Sequence, residues 1–169
     1  MLLAMQSPHQ KIETGALPEG AKLCTWLLRR WVDHRIRGRD PRPVILAGLG
    51  AYGLERCCDS FERLMQTVCG HARRLIDIRM HGSIELSTDE FLLCRAIQSA
   101  AFSPALTRAL MLELLDRQGA FDAARQCEGL AADLASAGLD TSIDPDRIAS
   151  RTATADPVTA EITRLRTGS

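Results

Sequence analysis

The chain has 169 residues, 46% of them hydrophobic and 25% charged, with 21 basic and 21 acidic side chains and a formal net charge of zero. That length suits one domain, or one domain with a tail, and folding hides roughly 68–70% of the unfolded surface, enough for a core without staples. The composition sits near the globular average and excludes global disorder. No stretch reaches the roughly 18 uncharged apolar residues of a membrane span, because the best candidate, 91–115, is interrupted by Arg95, Gln98, Pro104, Arg108 and Glu113.

Residues 1–16 read as an irregular arm. Met1-Leu2-Leu3-Ala4-Met5 lacks a basic start and is too short for the apolar region of a secretory signal. Pro18 opens a helix that runs to about Ile36, with Gly38 as its stop. Cys24, Leu27, Leu28, Trp31, Val32 and Ile36 fall on its apolar side, and Arg29, Arg30, Asp33 and Arg37 on the other. Gly38-Arg-Asp-Pro-Arg-Pro43 follows as a rigid connection, because proline excludes helix and biases the residue before it to extended forms.

Residues 44–53, Val-Ile-Leu-Ala-Gly-Leu-Gly-Ala-Tyr-Gly, leave helix and strand both open. Beyond them Leu54, Cys57, Phe61, Leu64, Val68, Ala72 and Leu75 recur at steps of three and four, the cleanest helical period in the chain. Two short alternating runs around His81-Gly82 then allow a minor β-hairpin near 75–86, although an end to the long helix is favoured there.

Ser87 stands three residues before Glu90, a capping box. The helix it opens carries apolar residues on nearly all sides, from Phe91 to Ala101, and is therefore expected to be buried. Ser103-Pro104 ends it and starts another, with Ser103 as N-cap and Pro104 at the first helical position. That helix carries Leu106, Leu110, Met111, Leu114 and Leu115, with Gly119 as its C-terminal cap. Phe121 to Ala137 forms a further helix stopped by Gly138. Residues 139–169 turn polar and read as a loose tail, with Asp156-Pro157 as the start of one more short helix.

The expected fold is all-α: an irregular bundle of about five helices spanning 17–138 around a buried central hairpin, 91–115. The six cysteines sit in apolar helical patterns, which favours reduced thiols in a cytoplasm.

Few motifs carry chemistry. Gly48-Leu-Gly-Ala-Tyr-Gly53 matches a dinucleotide-binding loop literally. The chain supplies helices where that fold needs further strands, so close helix packing is the favoured meaning. Cys57, Cys58, Cys69 and His71 invite a metal, but about 1.5 Å of rise per residue puts Cys58 and Cys69 roughly 16 Å apart on a continuous helix. His71 and His81 flank Arg73, Arg74 and Asp77, which would suit an anion pocket, although a solvated helix end is simpler. Residues 106–130 fail as a helix-turn-helix, because Asp122, Glu128 and Asp133 would face phosphates. No catalytic residue, cofactor or metal ligand is assigned.

The strongest surface feature is arginine. Of the 21 basic residues only Lys11 and Lys22 are lysines, and Arg29, Arg30, Arg35, Arg37, Arg39 and Arg42 cluster near Trp26 and Trp31. Residues 1–42 carry eight basic and four acidic groups, whereas 120–157 carry three and seven. The expected function is a non-catalytic adaptor or regulatory module that meets an acidic protein surface through these six arginines. Nucleic-acid binding through the same face is the alternative. A thiol- or metal-responsive sensor comes third.

Overall fold

A computed structural model describes residues 11–144 as an all-α bundle of six helices. In chain order these are α1 (Glu19–Ile36), α2 (Arg42–Gly50), α3 (Cys58–His71), α4 (Thr88–Ser99), α5 (Pro104–Leu112) and α6 (Arg117–Ser136). Short 3₁₀ turns at Thr14–Ala16 and Glu55–Cys57 precede α1 and α3. The short helix expected from Asp156 lies outside the described residues.

Local chemistry sets most of the ends. Pro18 is the N-cap of α1. At the other end Gly38 takes φ +66°, its amide donates to the Arg35 carbonyl at 3.1 Å, and Arg39 N–H donates to His34 at 2.8 Å. This is a Schellman closure, which needs a left-handed residue that glycine adopts without a Cβ penalty. Gly138 ends α6 in the same way, with Leu139 N–H bonded to the Leu134 carbonyl at 3.0 Å. The Ser87–Glu90 capping box forms with both of its bonds, Glu90 N–H to Ser87 Oγ at 3.0 Å and Ser87 N–H to the carboxylate at 2.9 Å. Ser103 caps α5 through the Leu106 amide, with Pro104 at its first position.

The core is continuous through all six helices. Leu27, Leu28, Ile45, Leu49, Phe61, Leu64, Met65, Leu93, Ile97, Met111 and Leu114 are fully buried. α1 packs on α2 and α4, and α6 lies against α3, α4 and α5. Its buried side presents Ala120, Ala123, Cys127, Leu130, Ala131 and Leu134. The small residues among them let neighbouring helices approach closely. Ile12 and Ile143, in the segments flanking the bundle, join the same core.

Several expectations need correction. Gly119 does not cap α5. That helix stops at Leu112, and Gly119 lies inside α6, where Asp116 is the N-cap and accepts from the Gly119 amide at 2.8 Å. A Cβ at Gly119 would sit 2.2 Å from His71 Cβ, so the glycine serves the contact between α6 and the end of α3. Pro43 is inside α2, at its second position, where a missing amide hydrogen costs nothing. The long apolar period ends early: α3 stops at His71, and Leu75 is 93% exposed. Leu110, expected in the deepest core, is only partly buried.

Residues 72–86 form neither a continued helix nor a hairpin. They run as an irregular connection, with isolated bridges from Glu13 to Glu85 and from Ala72 to Leu115 near its ends. The next helix claims its backbone instead. Asp89 accepts from the Asp77 amide at 2.7 Å, Glu90 from the Arg79 amide at 3.1 Å, and Ser87 Oγ donates to the Asp77 carbonyl.

Gly48-Leu-Gly-Ala-Tyr-Gly53 is the end of α2 and the turn after it, with Gly53 at φ +67°. No strand precedes it among the described residues. A Cβ at Gly48 would lie 2.2 Å from Trp26 Cζ3, so this glycine admits an indole of α1 between the two helices. Helix packing is the role of this glycine.

Candidate interaction surface

The six arginines do not share one environment. Arg29 lies on the side of α1 that meets α4 and is only 4% exposed. Its Nε donates to Glu90 Oε1 at 2.7 Å and its Nη2 to Glu90 Oε2 at 3.0 Å. Nη1 and Nη2 also reach the carbonyls of Ser83 and Glu85, at 2.6 and 2.9 Å. Glu90 is fully buried. One carboxylate therefore caps α4, neutralises a guanidinium from α1 and holds the Arg79 amide, while the guanidinium gathers the chain at 83–85. Arg29 is removed from the expected docking face. It is an internal clamp, and a charge buried in this way is held by its partners.

Asp89 beside it does similar work for the loop. Arg74 donates to both of its oxygens at 2.7 Å. That guanidinium, helped by the Asp77 amide, holds the Asp89 carboxyl below the usual carboxylate range although burial opposes it. Arg74 and His71 therefore do not form a shared anion pocket: His71 Nδ1 instead lies 3.0 Å from Asp116.

Four of the remaining arginines keep contacts of their own. Arg30 stacks over the Trp26 ring at 5.6 Å and Arg35 over Trp31 at 5.4 Å. Both pairs are four residues apart on one helix, where side chains meet. Arg37 bonds Asp33 at 2.8 Å, and Arg42 bonds Asp59 of α3 at 2.7 Å. Arg39 has no ion pair among the described residues. Ile36 lies amid this group, 81% exposed, because no described element covers the last residue of α1. The apolar side expected for it therefore ends one turn earlier.

A concavity of about 330 Å³ opens beside this region, between α1 and the loop at 81–83. Lys22, Trp26, Arg29, His81, Gly82 and Ser83 are among the residues that line it. Partial desolvation, then Arg30 and Arg29, lower the His81 pKa below the ordinary imidazole value, and Asp33 opposes them. Lys22 and Trp26 lie four residues apart in the sequence. Only the tertiary fold brings His81 to them, and no local signal announces it.

The thiols are chiefly structural. All six cysteines are free, and only Cys69 is exposed. Burial, followed by a hydrogen bond to Asp133, pushes Cys57 up to about 12, and burial does the same to Cys94. Among the described residues no group of three or more histidine, cysteine or acidic side chains is arranged to hold a metal ion, and no helix is long and apolar enough to cross a membrane. Comparison of the chain with protein-family models, curated proteins and solved structures finds no match.

Proposed function

We propose that this protein is a non-catalytic adaptor or regulatory module of the cytoplasm that docks an acidic segment of another protein. The docking face is the last turn of α1 and the chain leading into α2: Arg35, Ile36 and Arg39 at its centre, Arg30 one turn earlier, and Arg37 and Arg42 at its edge, each already paired with an aspartate. The observation that carries this reading is an 81% exposed isoleucine set among arginines. Arginine and large apolar anchors dominate the energetics of protein interfaces, and stacking on tryptophan orders a guanidinium before any partner arrives. Cations around an apolar anchor complement a segment that alternates acidic and apolar side chains.

Nucleic acid fits less well. Asp33 and Asp59 already occupy Arg37 and Arg42, and Arg29 faces inward. Few guanidiniums remain to neutralise phosphates, and two of those are stacked on indoles.

The test uses affinity capture from native cells with Arg35→Gln/Ile36→Asp/Arg39→Gln beside the wild type, both nuclease-treated. The variant is expected to lose a discrete protein partner while its melting temperature stays unchanged, because all three side chains are exposed. An unchanged capture pattern would remove the support for this face. Micromolar wild-type binding to duplex DNA, with a salt slope near −0.9 per phosphate neutralised, would transfer the face to nucleic acid.

A further inference from the structure

We propose that the concavity between α1 and the 81–83 loop is a binding site for a small organic oxyanion. A phosphate or carboxylate would be held by Lys22 and His81 over Arg29, with a flat apolar body along Trp26. This site is separate from the docking face and does not depend on it.

Three observations converge. First, the concavity measures about 330 Å³ and its lining includes three basic side chains, Lys22, Arg29 and His81, but no carboxylate. Liquid water occupies about 30 Å³ per molecule, so the space suits a small molecule better than a single ion. Second, Arg29 keeps a donor in reserve. Arg29 has five N–H groups, and Glu90, Ser83 and Glu85 take four of them. One Nη1 hydrogen of a 96% buried side chain that lines the cavity is left over among the described residues. That fifth hydrogen, on a guanidinium at the cavity wall, is available to an acceptor that comes from outside. Third, after partial desolvation, Arg30 and Arg29 both disfavour the protonated form of His81, which marks cationic surroundings that Asp33 opposes. Trp26 supplies the apolar wall and is held in place by Gly48, whose missing Cβ leaves room for the ring.

The experiment titrates the full chain with phenyl phosphate, benzoate and inorganic phosphate at matched ionic strength, read by calorimetry and tryptophan emission. Phenyl phosphate or benzoate is expected to saturate. Lys22→Ala/His81→Gln, whose side chains are exposed, should weaken that binding about tenfold or more, a loss of about 1.4 kcal/mol. Arg37→Gln, outside the concavity, should leave it unchanged. Absence of saturation by either organic anion at about 10 mM, where the binding free energy is below about 2.7 kcal/mol, overturns the proposal. Equal affinity in the double variant overturns it too. Inorganic phosphate binding as tightly as phenyl phosphate would show that the indole wall contributes nothing, and the organic ligand would be rejected.

Discussion

Arg29→Met tests the clamp most directly. The change removes four hydrogen bonds and leaves Glu90, fully buried, with only the Ser87 and Arg79 amides as donors. Removing one member of a buried ion pair costs about 3–5 kcal/mol, because the surviving charge stays desolvated and uncompensated. In a domain of this size each kcal/mol shifts Tm by roughly 2–4 °C, so a fall of about 6–20 °C is expected. Arg29→Lys should recover only part of the loss, since an ammonium cannot reach both Glu90 oxygens and two carbonyls from one plane. Because the pair is buried, added salt should scarcely alter the difference from wild type. Guanidinium unfolding would confound charge screening with denaturation, so urea melts at about 0.1 and 1 M sodium chloride are the assay, compared across a roughly threefold change in Debye length. A double-mutant cycle with Glu90→Gln should show a combined loss smaller than the sum of the single losses, as the second change adds less once the first has been made. A loss below about 1 kcal/mol for Arg29→Met would place the pair in the range of exposed salt bridges and refute the clamp.

Three further outcomes follow from the same geometry. Gly48→Ala should gain about 1 kcal/mol of helix propensity but lose about 1–3 kcal/mol to overpacking against Trp26, so net destabilisation with a shifted tryptophan emission is expected and a raised melting temperature would contradict the close approach. Ellman's reagent should find one reactive thiol, Cys69, in the native protein and six after denaturation, and more than one fast thiol would show that the core cysteines are not enclosed. The pKa of Asp89 is lower folded than unfolded, so its contribution is present above the ordinary aspartate range and is lost as pH falls through the folded value. Thermal melts of Asp89→Asn should therefore start lower at neutral pH and lose less on acidification below about pH 4 than those of the wild type, and parallel acid limbs would show that Asp89 is not the group responsible.

The helices were legible where their signals are local. A serine three residues before a glutamate, a Ser-Pro pair, and glycines at 38 and 138 act through bonds spanning a few residues, and those ends lie where the residues indicate. Burial of Leu93 and Ile97 was legible too, because an all-round apolar helix has nowhere else to go. The errors arose where a distant residue decided the outcome. The period through Leu54 and Val68 continues formally to Leu75, yet α3 stops at His71, where Asp116 and the 115 bridge meet it. Gly119 reads as a cap until His71 Cβ is found against it.

Arg29 and Arg30 show the same division most sharply. Adjacent in the chain and alike in chemistry, they lie about 100° apart around a helix axis. The sequence by itself determined that both sit on a basic, tryptophan-bearing helix. Which of them faces Glu90, 61 positions away, and which remains near solvent over Trp26 was decided by how α1 packs on α4. A buried carboxylate demands a nearby cation, but the chain offers nineteen guanidiniums and only tertiary packing selects one.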